Sequence, residues 1–297
     1  MILLTGSTGF LGKTILAELQ RRKLDVITLG RSDENKIKCD LSTQVPVIPS
    51  VELVIHAAGK AHTVPSSSIE SKEFFDINVQ GTKNLLEALE NHPTLKQFIF
   101  ISSVAVYGLT EGNNISEETS LLAEDPYGKS KIDTERLIIK WCLEHNVSYY
   151  IFRLPLIAGS HPPGNLRDMI HAIKNSRYVS IGKASAKKSM VLAEDVARFV
   201  STLQGPQGVY HLTDGYHPSF RELEIKIAWN YGKKKPPSFP LAIVKIISLA
   251  GDVIGKKFPL NSGKLKKIIS TLTFNDDKAR SLLHWNSREV LTDWEIE

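Results

Sequence analysis

Short, continuously apolar runs alternate with longer stretches of helical period through the first half of the chain. Ile2 to Leu4, Asp25 to Leu29, Leu53 to Ala57, Gln97 to Ser102 and Ser148 to Leu154 are runs of the first kind. They are too short for helices and apolar on both faces, which predicts strands buried in a parallel sheet. Between them, Lys13 to Arg22 is amphipathic. Ser71 to Glu90 places Phe74, Phe75, Ile77, Leu85, Leu86 and Leu89 at roughly helical spacing. Strand and helix in alternation predict an α/β fold with a doubly wound parallel sheet.

The pattern changes after Pro155. His161-Pro162-Pro163-Gly164 reads as a loop, and Pro218, Pro236, Pro237, Pro240 and Pro259 interrupt the remainder of the chain. Met190 to Thr202 and Gly208 to Leu212 read as a return to the sheet. The expected organisation is therefore a Rossmann-type sheet domain over 1–160, rejoined by about 188–213. A smaller, discontinuous α/β substrate lobe is expected from 161–187 and 214–297. Leu241 to Ile254 predicts a helix with apolar residues on most of its faces. Such a helix is expected to be buried within the small lobe; the alternative is an anchor on a membrane surface, given the lysines nearby.

With 297 residues there is ample chain for a sizeable core. No apolar run reaches the roughly 20 residues that span a bilayer, so no integral membrane segment is expected. The first residues are already structure-forming, so no signal peptide is expected. Cys39 and Cys142 stand far apart with no metal-ligand spacing, so no metal is expected and a reduced, cytoplasmic compartment is the default. The net charge of +5 gathers in Lys233 to Lys235, Lys256-Lys257 and Lys264 to Lys267. No nucleic-acid-binding motif accompanies these lysines, so no nucleic-acid partner is expected. Attraction of an anionic substrate such as a nucleotide sugar accounts for the sign equally well.

Four segments carry candidate chemistry. The first strand runs into Gly6, Gly9 and Gly12, a G-x-x-G-x-x-G turn that opens a helix. Strand, glycine turn and helix N-terminus together suit a dinucleotide pyrophosphate. His56-Ala57-Ala58-Gly59 ends another strand, where small residues let the backbone approach a ring or phosphate; His56 itself reads as structural. Phe100 to Gly108 places Ser102 and Ser103 at a strand's C-terminal end, where a hydroxyl can meet a reacting oxygen or cap the next turn. Tyr127 and Lys131 stand four apart on one helix face, with Asp125 as N-cap and Pro126 at the first helical position. A neighbouring ammonium lowers a phenol's pKa, making the pair a candidate proton donor and acceptor for a carbonyl/alcohol couple.

Together these segments resemble the extended short-chain dehydrogenase/reductase family, in its nucleotide-sugar epimerase and reductase branch. The resemblance covers most of the chain and is most specific through residue 155. Asp40-Leu41, His56 to Gly59, Asn78-Val79-Gln80-Gly81-Thr82, Ser103 before Val106-Tyr107-Gly108, and Tyr127 with Lys131 match the family's motifs in order. The resemblance implies cofactor contacts from Gly6, Thr8, Gly9, Phe10, Leu11, Gly12, Arg31, Asp40, Leu41, Ala57, Ala58, Gly59, Asn78, Tyr127, Lys131 and Leu154. It implies that Tyr127 exchanges a proton with the sugar oxygen and that Lys131 lowers the tyrosine pKa and holds the nicotinamide ribose. Ser103 orients the substrate oxygen, and hydride passes between nicotinamide and a sugar carbon. Lys60, Ser103, Tyr127, Asn165 and Lys188 are implied substrate contacts. Lys188 stands where the family usually has Arg, and an ammonium is not equivalent to a bidentate guanidinium. Near the C-terminus, Asn275 to Trp285 resembles the family's ending, with His284 in place of its usual Gly. The resemblance also implies a homodimer paired through helices over 74–90 and 132–145.

The second strand ends at Thr28-Leu29-Gly30-Arg31-Ser32, with no Asp or Glu between Asp25 and Asp33. An acidic residue here binds the ribose of NAD, whereas an Arg pairs with the 2′-phosphate of NADP. NADP(H) is therefore favoured over NAD(H). Val104 and Ala105 stand where dehydratases of the family carry acids, which argues against dehydration. The expected reaction is reduction of a UDP-4-keto-6-deoxy sugar for surface polysaccharide synthesis. The alternatives are a UDP-sugar 4-epimerase with tightly bound NAD, a non-catalytic NAD(P)-sensing protein, and a reductase of a non-nucleotide ketone.

Overall fold

A computed structural model describes the whole chain except residues 62–64, 66, 255–259 and 297. The Lys256-Lys257 pair and Pro259 therefore lie outside the described residues.

The first half alternates as its pattern predicts. Strand β1 (Ile2–Thr5) leads through the glycine turn to helix α1 (Phe10–Arg21), then β2 (Val26–Gly30), β3 (Ile37–Lys38) and β4 (Leu53–His56). Helix α2 (Ser68–Phe74) runs through a π-helical turn at Phe75–Gln80 into α3 (Gly81–Ala88). Then come β5 (Gln97–Ser103), a 3₁₀ turn at Val104–Tyr107, β6 (Gly112–Ile115), α4 (Pro126–Glu144) and β7 (Ser148–Leu154). The second half contains β8 (Leu156–Ala158), α5 (Gly164–Lys174), β9 (Ser180–Ile181), β10 (Met190–Leu192), α6 (Ala193–Val200) and β11 (Gly208–His211). It ends with α7 (Phe220–Asn230), β12 (Ser238–Phe239), α8 (Leu241–Ile254), α9 (Ser262–Ile269), β13 (Leu272–Phe274), α10 (Asp277–Leu283) and α11 (Val290–Asp293).

Seven strands form one parallel sheet in the order β11-β7-β5-β4-β1-β2-β3. Alternation along each strand feeds both faces. Leu3, Phe98 and Phe100 pack with Leu85, Ile138 and Trp141 of α3 and α4. Leu4, Ile99 and Ile101 face the other way, with Ile15 and Leu19 of α1 and Val196 of α6. The chain leaves β1 toward β2 on one side and returns to β4 on the other. The strand order thus reverses beside β1, and a crevice opens at the C-terminal strand ends there.

Three features differ from the sequence expectation. Met190–Leu192 does not rejoin the main sheet; it pairs in parallel with β8, and only Gly208–His211 returns, beside β7. The helix expected over 71–90 carries the π-helical turn, in which the hydroxyls of Thr82 and Thr134 both donate to the Asn78 carbonyl. Helix α8 is not buried. Among its described residues, Val244, Ser248 and Gly251 turn fully inward, while Ile246 and Leu249 are 69% and 61% exposed.

Candidate active site

The glycine turn is held by close packing that side chains would prevent. Gly6 has φ +73°, and a Cβ there would lie 2.6 Å from the Ala58 nitrogen. A Cβ on Gly12 would lie 1.9 Å from the Gly6 carbonyl oxygen. The helix therefore starts directly against the ends of β1 and β4. Gly9 is the N-cap of α1, and no side chain caps that helix. Its first N–H groups, beside exposed Thr8 and Gly9, are placed to receive an anion. The residues present thus fit the pyrophosphate of a dinucleotide.

The neighbouring strand ends supply the rest of the crevice. Registers Thr5↔Leu29, Thr5↔His56, His56↔Phe100 and Ser103↔Leu154 set these ends side by side. Ala57, Ala58 and Gly59 continue from β4, and Gly59 lies beside both Asn78 and Lys131. Asn78 is buried; its carboxamide donates to Ser130 Oγ at 2.8 Å and accepts from the Lys60 N–H at 2.7 Å. It ties the π-helical turn to α4 and to the loop after β4. Asp40 makes a local turn, accepting from the Ser42 N–H and hydroxyl, and the Leu41 carbonyl accepts from Asn84 at 2.7 Å. Arg31 is exposed, just past the end of β2.

His56 has the structural role expected of it. Its Nδ1 lies 2.7 Å from Thr5 Oγ1 and its Nε2 3.0 Å from Thr82 Oγ1. Burial, aided by the charge of Lys131, pushes its pKa down to about 3.

Helix α4 starts as its sequence specifies. Asp125 Oδ1 accepts from the Gly128 N–H at 3.0 Å, with Pro126 in the first turn. This start orients Tyr127 toward the end of β5, where its phenol lies near the Ser103 hydroxyl. Ser103 also caps the 3₁₀ turn, accepting from the Ala105 N–H at 3.2 Å. The capping reading of that serine therefore holds. Lys131 is buried one turn further along. Its ammonium donates to the Ile101 carbonyl at 2.9 Å and sits 4.5 Å from the centre of the Phe100 ring.

The expected lowering of the tyrosine pKa is not what these surroundings produce. Burial beside Phe74 raises it, against the opposing pull of the Ser103 hydroxyl. Burial lowers Lys131 to about 8, against the attraction of Glu135. Desolvation outweighs the local charges in both groups, with the Phe74 ring beside Tyr127 and the Phe100 ring against Lys131.

The candidate substrate residues are less uniform. Asn165 is exposed in the first turn of α5. Lys60 is paired with Glu73 and lies 5.3 Å from the Phe74 ring centre. Lys188 donates to the Lys267 carbonyl at 3.0 Å, at the end of α9, and burial lowers its pKa. One of its three N–H donors is thus used on a backbone carbonyl. His284 takes the place of the family's glycine in a left-handed conformation, φ 56°, closing α10.

Sequence reading missed a buried polar cluster directly behind the crevice. Arg153 on β7 forms an ion pair with Glu135 of α4 at 2.7 Å, both side chains almost wholly buried. Glu135 also accepts from Ser102 of β5. Arg153 donates to the Tyr107 hydroxyl at 2.8 Å, which lies 2.6 Å from His211 Nε2 on β11. Glu135 follows Tyr127 and Lys131 at the same helical interval. That spacing was the available signal, but nothing in the sequence paired it with Arg153.

Known proteins are similar to this chain over nearly its whole length. The N-acetyl-alpha-D-glucosaminyl-diphospho-ditrans,octacis-undecaprenol 4-epimerase of Escherichia coli O157:H7 is 26% identical, over 94% of this chain and 88% of that protein. The UDP-glucose 4-epimerase of Vibrio cholerae is 24% identical, over 98% of this chain and 92% of its own length. The fold is shared with the crystal structure of UDP-glucose 4-epimerase from Bifidobacterium longum in complex with NAD+ and UDP. That match has a TM-score of 0.76 and 21% identity, covering 99% of this chain and 95% of that one. The profile of the NAD dependent epimerase/dehydratase family matches residues 2–208, and the chain belongs to that family of enzymes.

Proposed function

We propose that the chain catalyses NAD(P)-dependent oxidoreduction at C4 of a UDP-linked sugar. The observation that carries this reading is the Tyr127 phenol beside the Ser103 hydroxyl with Lys131 one turn on, set at the sheet's C-terminal edge beside the open N-terminus of α1. The nicotinamide, when bound, supplies the hydride donor or acceptor. Gly6, Thr8, Gly9, Phe10, Leu11 and Gly12 would hold its pyrophosphate. Arg31, Asp40, Leu41, Ala57, Ala58, Gly59, Asn78 and Leu154 would line the rest of that cofactor's path. Tyr127 then moves a proton to or from the sugar oxygen, and Ser103 fixes that oxygen within reach of the phenol. Lys131 would stabilise the phenolate by its charge and hold the cofactor's ribose. The segments 161–187 and 214–297 form the sugar-binding side, with Asn165 free to meet the diphosphate. Lys60 contributes after leaving Glu73, and Lys188 is the weakest of these contacts.

For the net reaction we favour NADPH-dependent reduction of a UDP-4-keto-6-deoxy sugar. Exposed Arg31, with no acid at the end of β2, supports a phosphate on the adenosine ribose. Epimerisation at C4 with retained NAD is the second reading, supported by the names of the relatives and the NAD+ in the Bifidobacterium longum structure. The test is to mix the protein with a UDP-4-keto-6-deoxy-N-acetylhexosamine and follow nicotinamide absorbance, with NADPH and NADH in parallel. Stoichiometric, NADPH-preferring oxidation establishes the reductase. Absence of net oxidation, with UDP-glucose and UDP-galactose interconverting on bound NAD, establishes the epimerase.

A further inference from the structure

Helix α8 is amphipathic in the reverse of the usual sense. The stripe it turns toward the protein is Val244, Ser248 and Gly251, spaced at a helical interval and small in side chain. Five of its large apolar residues face away. Ile243, Ile246, Ile247, Leu249 and Ile254 are between 40% and 69% exposed. At 1.5 Å per residue the helix is about 21 Å long, so these side chains form a continuous ridge, not scattered exposures of the ordinary kind. Lys245 and Asp252 lie along one margin of the ridge.

The charge around this helix is just as uneven. Residues 233–267 contain nine lysines and one acidic residue, Asp252, whereas the rest of the chain carries 28 basic residues against 31 acidic ones. The excess that makes the protein basic therefore lies on either side of one exposed apolar helix. Helix α9, packed against α8, contributes exposed Lys264, Lys266 and Lys267.

We infer that α8 and α9 form a docking surface for an anionic lipid bilayer, with α8 lying in the interface plane. A ridge of isoleucine and leucine flanked by lysines has the two attractions that hold a monotopic helix: apolar burial at the acyl boundary and attraction to acidic headgroups. A second copy of the chain is the weaker occupant, because pairing two such faces would set lysine clusters against each other. The helix lies on the membrane and does not enter it as a span; among the described residues no helix is long and apolar enough to cross one.

The experiment is co-sedimentation of the full chain with vesicles of equimolar phosphatidylglycerol and phosphatidylcholine, and with phosphatidylcholine vesicles alone. The surface predicts binding to the acidic vesicles that weakens as salt is raised. Ile246→Asp with Leu249→Asp should lower that partitioning at least about tenfold. Replacing Lys264 and Lys267 with glutamine should lower it about fivefold per lysine. Ile246 and Leu249 are exposed, so their double variant keeps the thermal stability and solution turnover of the parent. Cys39 and Cys142 are both buried, so Ile246→Cys can carry an environment-sensitive fluorophore whose emission shifts to the blue on acidic vesicles. Equal partitioning of parent and Ile246→Asp/Leu249→Asp, or no sedimentation of either, overturns the inference. It is overturned equally if sedimentation equilibrium shows a dimer that the same pair of substitutions dissociates. None of these readouts depends on which sugar the enzyme turns over.

Discussion

Removing the Glu135 carboxylate should destabilise the protein more than any exposed ion pair, and the structure sets the size of the effect. Arg153 is 5% exposed and Glu135 is 1% exposed. Glu135→Ala leaves the guanidinium with the Tyr107 hydroxyl at 2.8 Å and the Glu117 carbonyl at 3.1 Å, but no directly paired carboxylate. Breaking one side of a buried pair costs about 3–5 kcal/mol, because the other charge stays desolvated. The Glu117 carboxylate lies close by, its pKa raised by burial, and can take up part of the charge. The low end, about 3 kcal/mol, is therefore expected. At roughly 2–4 °C per kcal/mol for a chain of this class, the melting temperature should fall by about 6–12 °C. Thermal unfolding followed by circular dichroism reads this directly, with urea unfolding as a second measure. Glu135→Met combined with Arg153→Met should recover most of the loss, since removing both charges removes the penalty. A single variant within about 1 kcal/mol of the parent would show that the cluster is hydrated or freely rearranged, and that burial does not set its cost.

Other outcomes rest on the same geometry. Gly12→Ala would set a methyl 1.9 Å from the Gly6 carbonyl oxygen, so protection of the protein by NAD(H) or NADP(H) in thermal melts should be lost. Tyr127→Phe should retain that protection and lower turnover by about a hundredfold or more, the ordinary worth of a positioned acid–base group. His56 and His211 are buried neutral, with pKa values pushed down by burial to about 3 and about 4. The unfolded chain takes up these protons near pH 6.5 and the folded one does not, so stability falls as pH drops from about 6.5 toward 4. At pH 4.5 each costs about 2–3 kcal/mol, and His56→Asn should flatten the acid limb of a melting-temperature profile. Lys131, lowered to about 8, acts in the same direction at higher pH: stability contributed through this group rises between about pH 8 and 10.5, and Lys131→Met should remove that rise.

Much of the sheet and the crevice was legible because their signals are local. A strand buried on both faces must be apolar at successive positions, as in Phe98 to Ile101. A helix must start with a cap, as Asp125 and Pro126 provide. A turn pressed against neighbouring backbone must be glycine, as at Gly6 and Gly12. Those constraints act within a few residues, so the chain by itself determined the alternation, the glycine turn and the placing of Ser103, Tyr127 and Lys131 at strand and helix ends. What tertiary structure decided are the partners of charges and the sidedness of helices. Arg153 meets Glu135 because β5 and β7 run in register with α4 laid across them, and burial then reverses the shift expected of Tyr127. Lys188 donates to the carbonyl of Lys267, a residue brought near by β13. Helix α8 is apolar on most faces, so its pattern admits burial or exposure. Only its packing shows that the small residues turn inward and the isoleucines outward, because a helix's orientation is fixed by the shape of the neighbour it meets.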